Sequence, residues 1–322
     1  MLPEIPIPPY TPPLLLGNGH VQSVLPTLFR RVSLPPYTRE RVTLPDGDFL
    51  DVDWLRGGYP RVAIIAHGLG GHSDRWYVKG MARALFASGW DIAAWNFRGC
   101  GGTLNDRPIF THSGSSGDLD AVVQAVRATG RYARIGLVGF SMGGNITLLY
   151  LGRAGAALPP EVCGAVTFSV PCDLAGAAQA ISRPVNKPYL KRFLIQLRDH
   201  IAAMAEKFPD SFSLDGYDAI HDFAGFDGRY TAPLHGFPSA EEYWARSSAT
   251  TVLHAIRRPA WIVNARNDPF LTASCFPETE TPWTRLIAPD SGGHCGFIAF
   301  NRARRYWSES FACLALDYVA RD

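Results

Sequence analysis

The chain has 322 residues, with 31 Lys and Arg against 29 Asp and Glu, a formal net charge of +2. That near-balance lacks the basic excess of a nucleic-acid binder and the charge blocks of a solvating tail. With 47% apolar and 19% charged residues, disorder is excluded as the main state. No run of about 18 apolar residues exists, so no membrane-spanning helix is expected. The start, Met1-Leu2-Pro3-Glu4-Ile5-Pro6, lacks the basic and apolar regions of a secretory leader.

Prolines at positions 3, 6, 8, 9, 12 and 13 favour extended backbone. Residues 1–31 therefore read as an arm lying on the surface. Within it Val21, Val24, Leu25, Leu28 and Phe29 fall at helical spacing before Arg30-Arg31. Peripheral membrane contact through such a helix is one reading. Pro26 interrupts the pattern and the basic face is thin, so a short helix packing its apolar side on the body is the expectation. Strand-like alternation follows at 41–44 and 49–54, split by the turn Pro45-Asp46-Gly47. The short apolar run 62–66 reads as a strand buried on both faces.

The rhythm then becomes strand and helix in alternation. Helices are expected at 77–88, 118–128, 145–151 and 302–319, and strands at 91–96, 135–139, 165–170, 260–264 and 284–288. Such alternation implies a mainly parallel sheet with helices on both faces. The whole chain, 1–322, reads as a single α/β domain with an insertion at about 174–247. A helix is expected over 189–204, followed by Phe212, Tyr217, Phe223, Phe226, Tyr230 and Phe237. An insertion of this length between strands reads as a cap over a site. Its aromatic residues could line a pocket or form the cap's own core. The six cysteines form no C-x-x-C pair and no zinc-ligand spacing. They read as free thiols of a cytoplasmic protein, although an even count leaves a disulfide open.

Gly139-Phe140-Ser141-Met142-Gly143 spells G-x-S-x-G between a strand and a helical pattern, the setting of a nucleophile elbow. There a serine stands at a helix N-terminus, where unpaired N–H groups favour developing negative charge. His67-Gly68-Leu69-Gly70-Gly71 directly follows a strand, and its backbone can turn an N–H toward that serine. The oxyanion hole is assigned to the main-chain N–H groups of Leu69 and Met142. A serine hydroxyl needs a base, and His294 lies in a glycine-flanked loop between the last strand and the last helix. His67 and His72 are read as orienting the early loop. Asp268, after the strand at 260–264, is the candidate carboxylate, with Asp173 and Asp290 as rivals. Chain order is then Ser141, Asp268, His294, that of α/β-hydrolases.

Together these residues resemble the α/β-hydrolase superfamily, and more narrowly its YheT-like esterase and lipase group. The narrower signals are Gly19-His20-Val21-Gln22-Ser23, Asn96-Phe97-Arg98-Gly99-Cys100 and Gly292-Gly293-His294-Cys295-Gly296-Phe297, beside the two motifs above. The resemblance implies the α/β-hydrolase fold and ester hydrolysis by a Ser-Asp-His triad at Ser141, Asp268 and His294. Acyl groups are expected to be short to medium in length. No metal and no organic cofactor is expected, and the partner is a small-molecule ester. No N-terminal anchor of the eukaryotic kind is expected, so the chain resembles a soluble bacterial-type member. A thioesterase or acyltransferase with the same triad is the alternative, and a non-catalytic binding protein on the same fold is the rival of another class.

Overall fold

The computed structural model describes residues 2–278 and 281–321. Among them, β1 (Thr38–Thr43), β2 (Phe49–Leu55), β3 (Arg61–Ala66), β4 (Asp91–Trp95), β5 (Arg134–Phe140), β6 (Val162–Phe168), β7 (Ala260–Val263) and β8 (Thr284–Ile287) form one sheet. Its order is β1-β2-β4-β3-β5-β6-β7-β8. The β1–β2 and β2–β4 pairs are antiparallel and all later pairs are parallel. This is the α/β-hydrolase fold.

Alternation along the central strands builds two cores. Val62, Ile64 and Ala66 of β3 face one side, while Ala63 and Ile65 face the other. The first core is closed by α3 (Ser116–Ala128) and α4 (Met142–Ala154), the second by α2 (Trp76–Ala87) and the C-terminal helix Trp307–Val319. The register sets the strand ends level. Ala66 pairs with Gly139, Phe140 with Phe168, Phe168 with Val263, and Val263 with Ile287. The loops after β3, β5, β6, β7 and β8 therefore leave from one edge. From β3 the chain goes to β4 on one side and then to β5 on the other, so this edge holds the crevice where ligands bind in open α/β sheets.

The N-terminal arm is extended over its proline-rich part and tied to the body. Trp307 Nε1 donates to the Pro8 carbonyl at 2.9 Å, and the Tyr10 hydroxyl donates to Ile298 O at 3.0 Å. α1 (Gly19–Phe29) runs through Pro26, and the Gln22 carbonyl that the proline leaves unbonded lies against Gly296. The face it buries is not the apolar one. Gly19, Gln22 and Pro26 are buried, while Leu28 is 55% and Phe29 71% exposed. Polar anchoring overrides hydrophobic periodicity here: Trp76 Nε1 donates to Thr27, and buried Arg30 pairs with Glu309 at 2.6 Å. The expected packing of the apolar side on the body is corrected accordingly.

Between β6 and β7 lie α5 (Leu174–Ile181), α6 (Lys187–Lys207), the short turns α7 (Phe223–Phe226) and α8 (Ala232–Leu234), and α9 (Ala240–Ser247). Both readings of the aromatic residues hold. Phe212, Tyr217, Phe226 and Tyr230 pack with Ile201 and Met204 in a core of their own, whereas Phe223 faces a cavity that Phe226 also lines. Two element boundaries shift for a reason visible in the backbone. β6 ends at Phe168 because Ser169 takes φ 53°. α10 (Trp307–Val319) begins later than residue 302, because Arg304 sits at φ 51° and the helix starts at a capping box of Tyr306 and Glu309. All six cysteines are free thiols.

Candidate active site

Ser141 is the N-cap of α4, with φ 52° and ψ −121°. A non-glycine residue held there carries backbone strain of about 1–3 kcal/mol. Two glycines make the turn feasible. A Cβ on Gly139 would lie 2.6 Å from the Gly143 carbonyl, and one on Gly143 would lie 2.3 Å from the His67 carbonyl. The main chain of Ser141 is pinned by donation from its N–H to Phe168 O at 2.9 Å. Its side chain opens on a cavity of about 460 Å³, which His294 also lines.

His294 Nδ1 lies 2.9 Å from Asp268 Oδ2 and 3.1 Å from Oδ1. Asp268 is buried, and its Oδ1 accepts the Phe270 N–H at 2.9 Å. An acid so placed holds the imidazole with its proton on Nδ1 and leaves Nε2 free to accept. Phe270 packs on the His294 ring at 4.4 Å between centroids. Among the described residues no hydrogen bond joins Ser141 Oγ to His294; the two meet as walls of one cavity. The rival carboxylates are occupied elsewhere. Asp173 caps α5 through the Gly176 N–H, and the exposed Asp290 lies 3.7 Å from Arg266.

The His294 loop is held by α1. His294 N–H donates to Ser23 Oγ at 2.8 Å, and that hydroxyl donates to Gly19 O at 2.7 Å. Gly293 N–H donates to Asn267 Oδ1, while Asn267 Nδ2 donates to Gly17 O. A Cβ on Gly293, at φ 55°, would lie 2.4 Å from Gly19 O. Just after β6, Ser169 Oγ accepts the Cys295 N–H at 2.8 Å.

The loop after β3 is fixed by two side chains. Phe97 N–H donates to His67 Nε2 at 3.1 Å, so the ring proton resides on Nδ1 and is donated to Gly68 O at 2.8 Å. Complete burial pushes the His67 pKa down to about 3 and keeps the ring neutral. The Tyr77 hydroxyl accepts the Gly68 N–H at 3.0 Å. His72 lines the cavity rather than bracing the loop. Neither the Leu69 nor the Met142 N–H has an acceptor among the described residues, and both residues line the cavity beside Ser141. Arg98 of the Asn96–Cys100 segment pairs with Asp46, Asp48 and Asp118, which holds Phe97 and Cys100 in the cavity wall.

The sequence profile of the alpha/beta hydrolase fold family matches residues 62–299. YheT of Escherichia coli (strain K12) is 31% identical over 292 residues, spanning 88% of this chain and 85% of its own. The chain is an α/β hydrolase of the YheT-like group. Other relatives of this hydrolase include phospholipase ABHD3 of Mus musculus, 27% identical over 83% of the chain and 68% of the relative. The monoacylglycerol lipase of Saccharomyces cerevisiae is 28% identical over 76% of the chain and 57% of its own length. Among solved structures, the Pyrococcus furiosus esterase PF2001 superposes with a TM-score of 0.57 at 18% identity, covering 91% of the hydrolase and 98% of that chain. The family thus contains esterases and lipases. Among the described residues of the hydrolase, no helix is long and apolar enough to cross a membrane. Sequence reasoning missed Tyr77, Ser169 and Asn267 as supports of the site. Only the Gly19–Ser23 motif, noted for its resemblance, pointed toward the brace that α1 supplies.

Proposed function

We propose that the hydrolase cleaves carboxylic esters of short- to medium-chain acids through an acyl-enzyme. Ser141 Oγ attacks the ester carbonyl while His294 Nε2 takes its proton, with Asp268 steadying the imidazolium. The N–H groups of Leu69 and Met142 receive the oxyanion. His294 returns the proton to the leaving alcohol, then takes one from water, which attacks the acyl carbonyl, and passes it to Ser141 Oγ as the acid departs. One observation carries this reading: a strained serine opens on the same cavity as an imidazole bonded at 2.9 Å to a buried carboxylate. We read the β6–β7 insertion as the cap over that cavity. Six free thiols fit a reducing compartment such as the cytoplasm. The exposed Leu28 and Phe29, beside Arg31 and Arg192 at a cleft leading to Ser141, favour peripheral contact with an anionic bilayer.

The test is labelling of purified protein with a fluorophosphonate, peptide mapping, and turnover of p-nitrophenyl esters. Labelling at Ser141 and its loss in Ser141→Ala are expected, with kcat down by roughly 10⁴-fold or more. Ester turnover that survives in Ser141→Ala overturns the assignment.

A further inference from the structure

The cavity extends from Ser141 into the β6–β7 insertion. There its wall holds Asp227, Thr231, Tyr243 and Trp244, together with His112 from the loop before α3. A second cleft also reaches Ser141 and His294, but it is lined by Arg31, Asp74, Arg75 and Lys79. The aromatic branch suits an acyl chain and the charged branch a departing alcohol. An aromatic branch for plain alkyl chains has no use for a buried carboxyl, yet Asp227 is one.

Asp227 opens a π-helical stretch, Asp227–Thr231, in which the Ala232 N–H reaches back to the Asp227 carbonyl. Such insertions recur at functional sites. Its Oδ1 accepts the Thr231 hydroxyl at 2.7 Å and its Oδ2 accepts the Trp244 indole N–H at 2.8 Å. No cation pairs with it among the described residues. A carboxylate offers about four acceptor sites, so half of its capacity is unused. Burial pushes its pKa up to about 6, the expected cost of an unpaired buried acid. Replacing it by an apolar residue would remove that cost.

His112 supplies the complement. Its Nδ1 accepts the Gly114 N–H at 3.2 Å, so the neutral ring carries its proton on Nε2. Burial, with His235 and Arg153 nearby, holds its pKa well below the usual imidazole value. The Nε2–H has no acceptor among the described residues. The ring lies 5.5 Å from that of Tyr243, and Asp227 and His112 both line the cavity. One wall thus presents an unused acceptor and an unused donor. A hydroxyl carries both complements, a donor for the carboxylate and an acceptor for the imidazole. An ammonium would leave the imidazole N–H unmatched, and an alkyl end would leave both unmatched.

We propose that this branch is a hydroxyl-reading subsite, in which Asp227 and His112 select esters whose acyl chain bears a hydroxyl remote from the carbonyl. The selection rests on the ester-hydrolase reading for its substrate class. Its test is binding to Ser141→Ala protein, so that it does not depend on turnover. Methyl alkanoates and methyl ω-hydroxyalkanoates of increasing length are titrated by calorimetry. At one chain length the hydroxy ester is expected to bind roughly tenfold more tightly than its plain partner. Adding Asp227→Leu or His112→Phe should bring that ratio to one or below, and Asp227→Asn should leave a reduced ratio. If Asp227→Leu fails to fold by circular dichroism, the Asn and Phe variants decide. A ratio of one or less at every length in the Ser141→Ala protein overturns the proposal. So does a ratio that the Asp227 and His112 changes leave intact, even if both ester series weaken together, as a purely structural role would produce. Absence of labelling and turnover in the wild type would instead refute the hydrolase mechanism and leave the binding ratio standing.

Discussion

Gly19 lies far along the chain from the candidate triad, yet a methyl group there should disable it. A Cβ on Gly19 would stand 1.9 Å from the Asn267 carbonyl oxygen. A close C···O contact is about 3.3 Å, so roughly 1.4 Å of separation must be created. Asn267 cannot yield alone. It precedes Asp268, and its side chain ties Gly17 to Gly293. Nor can α1 yield alone, because Ser23 holds the His294 N–H and Arg30 is paired with buried Glu309. The strain therefore passes to the acid loop, the histidine loop or both. A misplacement of about 1 Å by a distant change costs on the order of 10²-fold in rate, or about 2.7 kcal/mol of transition-state stabilisation. The assay is kcat/KM on p-nitrophenyl butyrate for Gly19→Ala, with thermal unfolding to register loss of fold. Gly17→Ala is the control, since its Cβ would meet nothing nearer than 3.9 Å. Activity of Gly19→Ala within about threefold of wild type would refute the brace, as would an equal loss in Gly17→Ala.

Tyr77→Phe removes the acceptor of the Gly68 N–H and leaves a donor unpaired beside the proposed oxyanion loop. With about 1–3 kcal/mol at stake, kcat should fall roughly 10-fold while KM holds; an unchanged kcat would show that the loop is set by His67 alone. Burial lowers the pKa of His67 to about 3 and of His235 to about 4, and also lowers those of His72, His112 and His200. These rings are neutral when folded but take protons in the unfolded chain below about pH 6.5. Their contribution is thus full above that pH and is lost as pH falls. Asp227 and Glu309, both raised by burial, act in the opposite sense. Five rings outweigh two carboxyls, so the urea midpoint should drop between about pH 6.5 and 4.5, and a midpoint that rises there contradicts the assignment. Replacing Leu28 and Phe29 together by Asp should abolish co-flotation with anionic vesicles and leave turnover of a soluble ester intact. Wild-type protein that never floats would dismiss the bilayer contact.

Much of this was legible because the signals were periodic or spelled out. Glycine spacing at 139–143 announced the elbow, and short apolar runs announced strands buried on both faces. The supports were less legible because their partners are remote in sequence. Ser23 and His294 stand 271 residues apart, and Ser169 and Cys295 stand 126 apart. A lone serine on a strand-like run carries no local sign that its hydroxyl will hold a loop beyond the last strand. α1 misled for a related reason. Its apolar spacing implied burial of Leu28 and Phe29, but contact with the His294 loop demands small and hydrogen-bonding residues, so Gly19, Gln22 and Ser23 turn inward instead.

The distribution of backbone strain follows the same logic. Among the described residues six non-glycines have positive φ, and four of them are Ser141, Ser169, Cys295 and Phe297. Two follow the ends of β5 and β6, and two lie just after His294 on the loop that Ser169 anchors. Each such residue costs about 1–3 kcal/mol and persists only where the surroundings over-determine it. Here the surroundings do so: Ser141 N–H bonds Phe168 O, Ser169 N–H bonds Val263 O, Cys295 N–H bonds Ser169 Oγ, and Phe297 N–H bonds Gly292 O. The parallel register that levels the strand ends brings these acceptors to one edge. The sheet's register is therefore what allows a strained serine and a strained histidine loop to be held over one cavity.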